Sequence, residues 1–417
     1  MDLSEIRATD PIVADAIEAE RTRQNETIQL IASENHVSPA VMAAQGSVLT
    51  NKYAEGYPSR RYYAGCAEVD RVEQAAIDRA KELWGAEHVN VQPHSGTQAN
   101  QAVYTAMLDP GDCILSLALE HGGHLSHGHK VNFTGQLYNV HHYHLDEDSG
   151  RLDYDQIRER AKAVDPDIIV SGFSAYPRTI DWSTIQEIAD SVDAYHLADI
   201  AHITGLVATG AHPSPVGIAD FITGSTHKTI RAGRGGLVMC DGDHADDIDA
   251  AVFPGGQGGP LMHNIAGKAV GFAEALTPEF ESYIEAVVDN ARTLARTLEE
   301  GGLSLVTGGT ETHLMLVDLT ESHPSLTGQQ LESALEAVGL VLNKNTIPGE
   351  TRSPFVTSGV RIGTPAATSR GMGAEAMEEI GSCILEIMDA PEDDDTRAMV
   401  AGRVSELASE YPTYDFE

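Results

Sequence analysis

Lysine is scarce in this chain: only Lys52, Lys81, Lys130, Lys162, Lys228, Lys268 and Lys344 occur among 417 residues. The ammonium group is therefore not spent as generic surface charge, and each position asks for a reason. Cysteine is scarcer still. Cys66, Cys113, Cys240 and Cys383 stand far apart with no Cys-x-x-Cys spacing, which argues against a disulfide framework and for buried thiols in a reducing compartment. No uninterrupted apolar run approaches the roughly 18 residues of a membrane span. The start, Met1-Asp2-Leu3-Ser4-Glu5, has neither the basic region nor the apolar stretch of a secretory signal. The expected location is the cytoplasm.

Positive charge is in short supply overall, with 27 Lys and Arg against 63 Asp and Glu and a net charge of −36. Such a field repels nucleic acid and anionic membranes. Hydrophobic residues still make up 41% of the chain, so the composition is globular rather than disordered. The acidity is spread along the sequence and deepens at Pro391-Glu392-Asp393-Asp394-Asp395, and arginine outnumbers lysine. A binding surface for a basic partner would be clustered. This pattern is that of a surface kept hydrated at molar salt, where screening removes self-repulsion, and it points to a halophilic source.

A chain of this length exceeds the roughly 250 to 300 residues at which single cores split. From Asn90 to Cys240 short apolar runs alternate with helical patterns, as in an α/β sheet with crossover helices. Candidate strands are Val89 to Val91, Cys113 to Leu119, Ile168 to Val170, His196 to Asp199, Phe221 to Thr223 and His313 to Leu319. After the Gly-rich run Pro254 to Pro260 the texture becomes helical from about Asn264 to Glu300. The expected organisation is an N-terminal arm over 1–52, a large α/β domain over 53–275 and a smaller domain over 276–417.

Lys228 lies in Gly224-Ser225-Thr226-His227-Lys228-Thr229, between two apolar strands. A lysine whose ammonium is destabilised by burial or a neighbouring cation condenses with aldehydes, and pyridoxal phosphate is the cofactor that uses such a lysine. A surface lysine on a Gly-rich hairpin explains the fragment as well. Asp199 closes an apolar run, which puts a carboxylate at the carboxyl end of a strand, where α/β ligands bind. A carboxylate there would keep a pyridine nitrogen protonated. Asp before Lys across one intervening strand is the order such a site needs, and a plain helix or turn cap at Asp199 would not account for that order. Ser95-Gly96-Thr97 opens a helix after a strand, a natural phosphate site, although Ser and Thr cap most helices without ligands.

Residues 120–144 hold seven histidines, so a metal site competes for this stretch. Glycines interrupt it and no helical His pair at i and i+4 is evident. An imidazole stacked on a flat cofactor ring fits better.

The stretches Leu30 to Asn35, Asn51 to Pro58, Arg61 to Cys66, Gln92 to Asn100, His121 to Leu125, Thr226 to Thr229, Val252 to Gly259 and Ser353 to Arg361 together resemble the serine hydroxymethyltransferase family. The resemblance implies a pyridoxal-phosphate enzyme of fold type I, aspartate-aminotransferase-like, with a mostly parallel sheet. It implies covalent cofactor at Lys228 with a catalytic His227 beside it, Asp199 at the pyridine nitrogen and His124 stacked on the ring. His202 and Ser174 are implied near the ring hydroxyl, and Ser95, Gly96 and Thr97 at the phosphate. Arg361 and Ser33 are implied at the substrate carboxylate, a task suited to the guanidinium fork. Glu55, with Tyr63 assisting, is implied in proton transfer. Tyr53, Glu55, Gly258 and Gly259 are implied to reach the site of a neighbouring subunit, giving a homodimer with shared sites. The pterin contacts implied are Leu119, Gly123, His124, Leu125, Asn345, Ser353, Pro354 and Phe355. The expected reaction interconverts serine and glycine with transfer of the hydroxymethyl carbon to tetrahydrofolate or a related pterin, with no metal. A pterin-independent aldolase on the same fold, a cofactor-binding regulator and a metal-binding protein are the alternatives.

Overall fold

In a computed structural model that describes residues 3–414, the chain forms two compact units. One comprises Val37–Glu285 with Ile347–Gly349; the other comprises residues 3–36, Ala286–Thr346 and 350–414.

The first unit is built on a seven-stranded sheet of β1 (His88–Asn90), β2 (Cys113–Leu117), β3 (Asn139–Tyr143), β4 (Ile168–Ser171), β5 (Tyr195–Asp199), β6 (Phe221–Ser225) and β7 (Gly236–Cys240), in the spatial order β1-β7-β6-β5-β4-β2-β3. Only β7 runs against its neighbours. The strands β2, β4, β6 and β7 are buried along their whole length, which is why they read as continuous apolar runs rather than alternating ones. Helix α1 spans Ala67–Trp84 and helix α2 spans Gly96–Met107. The residues Ala99, Ala102 and Val103 of α2 recur at helical spacing and pack with Ile114, Ile168, Val170, Leu197, Phe221 and Val238 of the sheet. All four cysteines are buried and unpaired.

The helical stretch expected from Asn264 to Glu300 is two helices, α3 (Met262–Ala275) and α4 (Pro278–Glu300). Pro278 explains the break, since proline disfavours helical backbone in the residue before it and suits a first turn. The second unit holds an antiparallel sheet of β8 (Ser304–Leu305), β9 (Leu314–Asp318), β10 (Asn343–Asn345) and β11 (Gly359–Gly363), in the order β8-β9-β11-β10. Its core joins Leu294 and Leu298 of α4, Met315 and Val317 of β9 and Val360 and Ile362 of β11. Met377, Ile380, Ile384 and Ile387 of helix α5 (Ala374–Asp389) complete it. Residues Ile28 and Gln29 pair in parallel with Leu340 and Val341, so the N-terminal stretch is part of this unit's fabric. No helix among the described residues is long and apolar enough to cross a membrane.

Candidate active site

The carboxyl ends of the parallel strands open on a cavity of about 180 Å³ lined by residues that include Ser95, Gly96, Thr97, His124, Ser174, Asp199, His202, His227 and Lys228. Topology explains the convergence. Asp199 is the last residue of β5 and Ser225 the last of β6, while the turns after β1, β2 and β4 supply Ser95, His124 and Ser174. Gly172 lets the chain pass: it has φ +89°, and a Cβ there would stand 1.9 Å from the Asp199 carbonyl oxygen.

At one end of the cavity Ser95 caps α2, its hydroxyl accepting from the Gln98 N–H at 3.2 Å. The free N–H groups of that first turn and the positive end of the helix dipole favour an anion. Further along, the Asp199 carboxylate is almost fully buried. Its Oδ2 lies 2.9 Å from His127 Nε2 and accepts from Asn100 Nδ2 at 2.9 Å, and its Oδ1 accepts from the Ala201 N–H at 2.9 Å. Burial by itself would raise this carboxyl, but the hydrogen bond and charge of His127, with the Asn100 amide, outweigh it and hold the group well below the usual carboxylate range. Asp199 is thus a fixed anion in a dry wall. His124 contributes the imidazole, its Nδ1 2.7 Å from the Ser126 hydroxyl. The Ser174 hydroxyl donates toward the Gly123 carbonyl at 2.8 Å. His227 is pushed down to about 3, chiefly by burial and then by Arg234 and Lys228, and its buried Nδ1 has no hydrogen-bond partner among the described residues.

The donor set fits pyridoxal phosphate: an anion cradle at a helix N-terminus, an amine, a flat imidazole and a buried carboxylate line one cavity of suitable size. The orphaned Nδ1 of His227 marks polar surface that the protein alone leaves unsatisfied.

Tyr53, Glu55, Tyr63, Gly258 and Gly259 form a second group, and none of the five lines that cavity. The Tyr53 and Tyr63 rings meet edge to face at 5.3 Å, and the Glu55 carboxylate pushes the Tyr63 hydroxyl upward. Tyr53 covers the Gly258-Gly259 turn closely, so that a Cβ on Gly259 would lie 3.0 Å from its ring. Tyr53 and Tyr63 are largely exposed. Leu119 and Leu125 begin two short 3-10 turns after β2, and Gly123 is packed so tightly that a Cβ would stand 2.3 Å from the Leu117 carbonyl oxygen. The remaining predicted residues belong to the other unit. Arg361 sits on β11 with Nε 3.1 Å from Asn343 Oδ1, and burial lowers its guanidinium to about 10. The Leu30 carbonyl accepts from Gly363 N–H at 2.7 Å, which carries the turn with Ser33 to the end of the same strand. Asn345 ends β10, and Phe355, next to Ser353 and Pro354, is 81% exposed.

A search of family models matches residues 6–384 to serine hydroxymethyltransferase. The chain is 66% identical over 415 residues to the serine hydroxymethyltransferase of Halorubrum lacusprofundi, covering all of both chains. It is 64% identical over 417 residues to that of Natronomonas pharaonis, covering all of this chain and 98% of the relative. The enzyme of Haloarcula marismortui is 64% identical over 415 residues, again over the full length of both. The chain belongs to the serine hydroxymethyltransferase family. That membership gives the fold-type-I architecture its name, and the halophilic sources of these relatives agree with the acidic composition.

Sequence reasoning missed the two side chains that hold Asp199, His127 and Asn100. Both reach Asp199 from far along the chain, so no local spacing betrays them; the one signal in the sequence is that His127 follows His124 by three residues. Two further histidines of that stretch also have polar partners. Leu145 N–H donates to His121 Nδ1 at 3.1 Å, and His142 Nδ1 lies 3.2 Å from the Ser116 hydroxyl. No group of three or more His, Cys, Asp or Glu among the described residues is arranged to hold a metal.

Proposed function

We propose that the chain interconverts serine and glycine, passing the hydroxymethyl carbon to tetrahydrofolate or a related tetrahydropterin, with pyridoxal phosphate held covalently by Lys228. The observation that carries this reading is the shared cavity of Lys228, Asp199 and the capped N-terminus of α2, supported by the family membership. Pyridoxal phosphate, when bound, supplies the electron sink for breaking a bond at the amino acid's α-carbon. Ser95, Gly96 and Thr97 bind its phosphate, His124 stacks on the ring, and Ser174 and His202 orient the ring hydroxyl. Asp199, kept ionised by His127 and Asn100, holds a proton at the pyridine nitrogen. Arg361 and Ser33 fix the substrate carboxylate, Glu55 takes or returns the proton at the serine hydroxymethyl oxygen, and Tyr63 assists it. Leu119, Gly123, Leu125, Asn345 and the Ser353–Phe355 segment bind the pterin. The reaction balances as serine plus tetrahydropterin giving glycine, methylene carrier and water.

The grouping of Tyr53, Glu55, Tyr63, Gly258 and Gly259 apart from the lining of the Lys228 cavity supports a homodimer in which this group serves the neighbouring copy. One experiment tests chemistry and assembly together. Transfer of isotope from serine C3 to tetrahydrofolate is measured for wild type, Glu55→Gln, Lys228→Ala and a mixture of the two variants after subunit exchange. Wild type should transfer label. Each variant should lose roughly the 10²-fold to 10⁴-fold of a missing acid–base or covalent group. The exchanged mixture should recover about a quarter to a half of the wild-type sites, by counting on a two-fold interface. Wild type that cleaves 3-hydroxyamino acids but transfers no label would contradict the pterin reading. Absence of recovery after proven exchange would return Glu55 to its own subunit.

A further inference from the structure

Lys268, on α3, is the one lysine among the largest fully buried side chains. Its Nζ donates to three backbone carbonyls: Val91 at 2.6 Å, Pro93 at 3.0 Å and Gly236 at 2.8 Å. Three acceptors need three N–H donors, which is the ammonium form. The setting opposes that charge, since burial lowers the group to about 7 and no carboxylate lies within ion-pair distance among the described residues. The charge of Glu73 raises it from beyond ion-pair distance, but a buried ammonium whose hydrogen-bond partners are all carbonyls is expensive, so filling space does not explain it.

The three carbonyls explain it better. Val91 and Pro93 flank Gln92 on the segment that runs from β1 into Ser95-Gly96-Thr97, and Gly236 opens β7. The same segment is held from its other side. His94 N–H donates to Gln257 Oε1 at 2.9 Å, and Gln257 Nε2 donates to the Gln92 carbonyl at 3.1 Å. Gly236 N–H adds a bond to the Pro93 carbonyl at 2.9 Å. The backbone of Ser95 lies against Gly236 so closely that a Cβ there would stand 2.3 Å from the Ser95 carbonyl oxygen. The ammonium thus ties the approach to α2 onto the strand that follows the Lys228 loop.

We propose that Lys268 is a positioning residue for the phosphate end of the cavity: by gathering the carbonyls of Val91, Pro93 and Gly236, it sets the course of the chain into Ser95, Gly96 and Thr97. The inference rests on the reading of those three residues as the phosphate cradle. It assigns Lys268 no covalent chemistry, since its Nζ is already occupied.

The test separates phosphate recognition from general integrity. Dissociation constants of pyridoxal 5′-phosphate and of phosphate-free pyridoxal are measured by absorbance titration of the cofactor-free full chain in molar KCl, for wild type and Lys268→Met. Wild type should prefer the phosphorylated ligand strongly. In Lys268→Met that preference should fall by about tenfold or more, the scale of one lost charge-assisted hydrogen bond, with pyridoxal affinity changed less than about twofold. Equal weakening of both ligands, or an unchanged preference, overturns the proposal. A wild type without preference overturns the cradle reading instead. If Lys268→Met does not fold, Gly235→Ala reads the same quantity, because its Cβ would stand 2.5 Å from Lys268 Nζ and displace it. Failure of both to fold would make Lys268 a scaffold residue and overturn the positioning role.

Discussion

His196 on β5 is fully buried, with Nε2 2.7 Å from the Ser171 hydroxyl and Nδ1 3.1 Å from Gln186 Oε1. Burial pushes its pKa down to about 3, whereas an unfolded histidine titrates near 6.5. The folded value lies below the unfolded one, so stability is complete above about pH 6.5 and falls by about 1.4 kcal/mol per pH unit as the unfolded chain alone takes up the proton. His36, lowered to about 4, and His227, lowered to about 3, act in the same direction and mainly through burial. Thermal unfolding in molar KCl should therefore be steady above pH 7 and weaken between pH 6.5 and 5; a flat profile over that window would contradict the buried neutral imidazoles. At this scale the sequence disclosed cavity residues that stand in a telling local context, such as Lys228 after Ser225-Thr226-His227 and Asp199 at the end of an apolar run. It concealed His127, Asn100 and Lys268, whose roles come from partners many residues away and leave no local pattern.

The hairpin of Gly56–Tyr57 and Arg60–Arg61 holds the backbone on either side of Glu55, the residue proposed for proton transfer. Arg61 Nη1 donates to the carbonyls of Ala54 and Gly56, at 2.9 and 2.8 Å, on either side of Glu55. Its other nitrogens pair with Asp70 at 2.8 Å and Glu73 at 2.5 Å. Gln92 Nε2 bridges the Gly56 carbonyl and Glu73 Oε1. The planar fork serves four acceptors at once, which a lysine ammonium does not. Arg61→Lys should cost roughly 1 to 3 kcal/mol for the acceptors left buried without donors. It should also lower kcat more than it raises KM for serine, because Glu55 loses its backbone anchors. Wild-type stability with unchanged kcat would contradict the clamp. The alternation of strands and helices was legible from short apolar runs between helical patterns, but the order of the strands in the sheet was not, because it is set by pairings between distant segments. Nor was the break before Pro278, because the helical period on either side of it masked the proline.

Across the whole molecule the net charge of −36 opposes compaction unless salt screens it. The screening length is about 3 Å at 1 M and about 30 Å at 0.01 M, so the melting temperature should climb with KCl into the molar range. A flat or falling melting temperature would contradict the halophilic reading. Composition made this property legible because it is a sum over the surface and needs no contacts. The compact units were less legible: residues 3–36 join a unit otherwise drawn from positions after 285, through pairings such as Ile28 with Leu340 that no local pattern announces. The claim on which the account turns is that one lysine of seven, Lys228, carries the cofactor. Reduction of the purified holoenzyme with labelled borohydride, followed by proteolysis and peptide mapping, tests it most directly. Stoichiometric label is expected on the peptide containing Lys228 and none on that containing Lys268, the fully buried lysine. Label on any other lysine, with Lys228 unmodified, would contradict it.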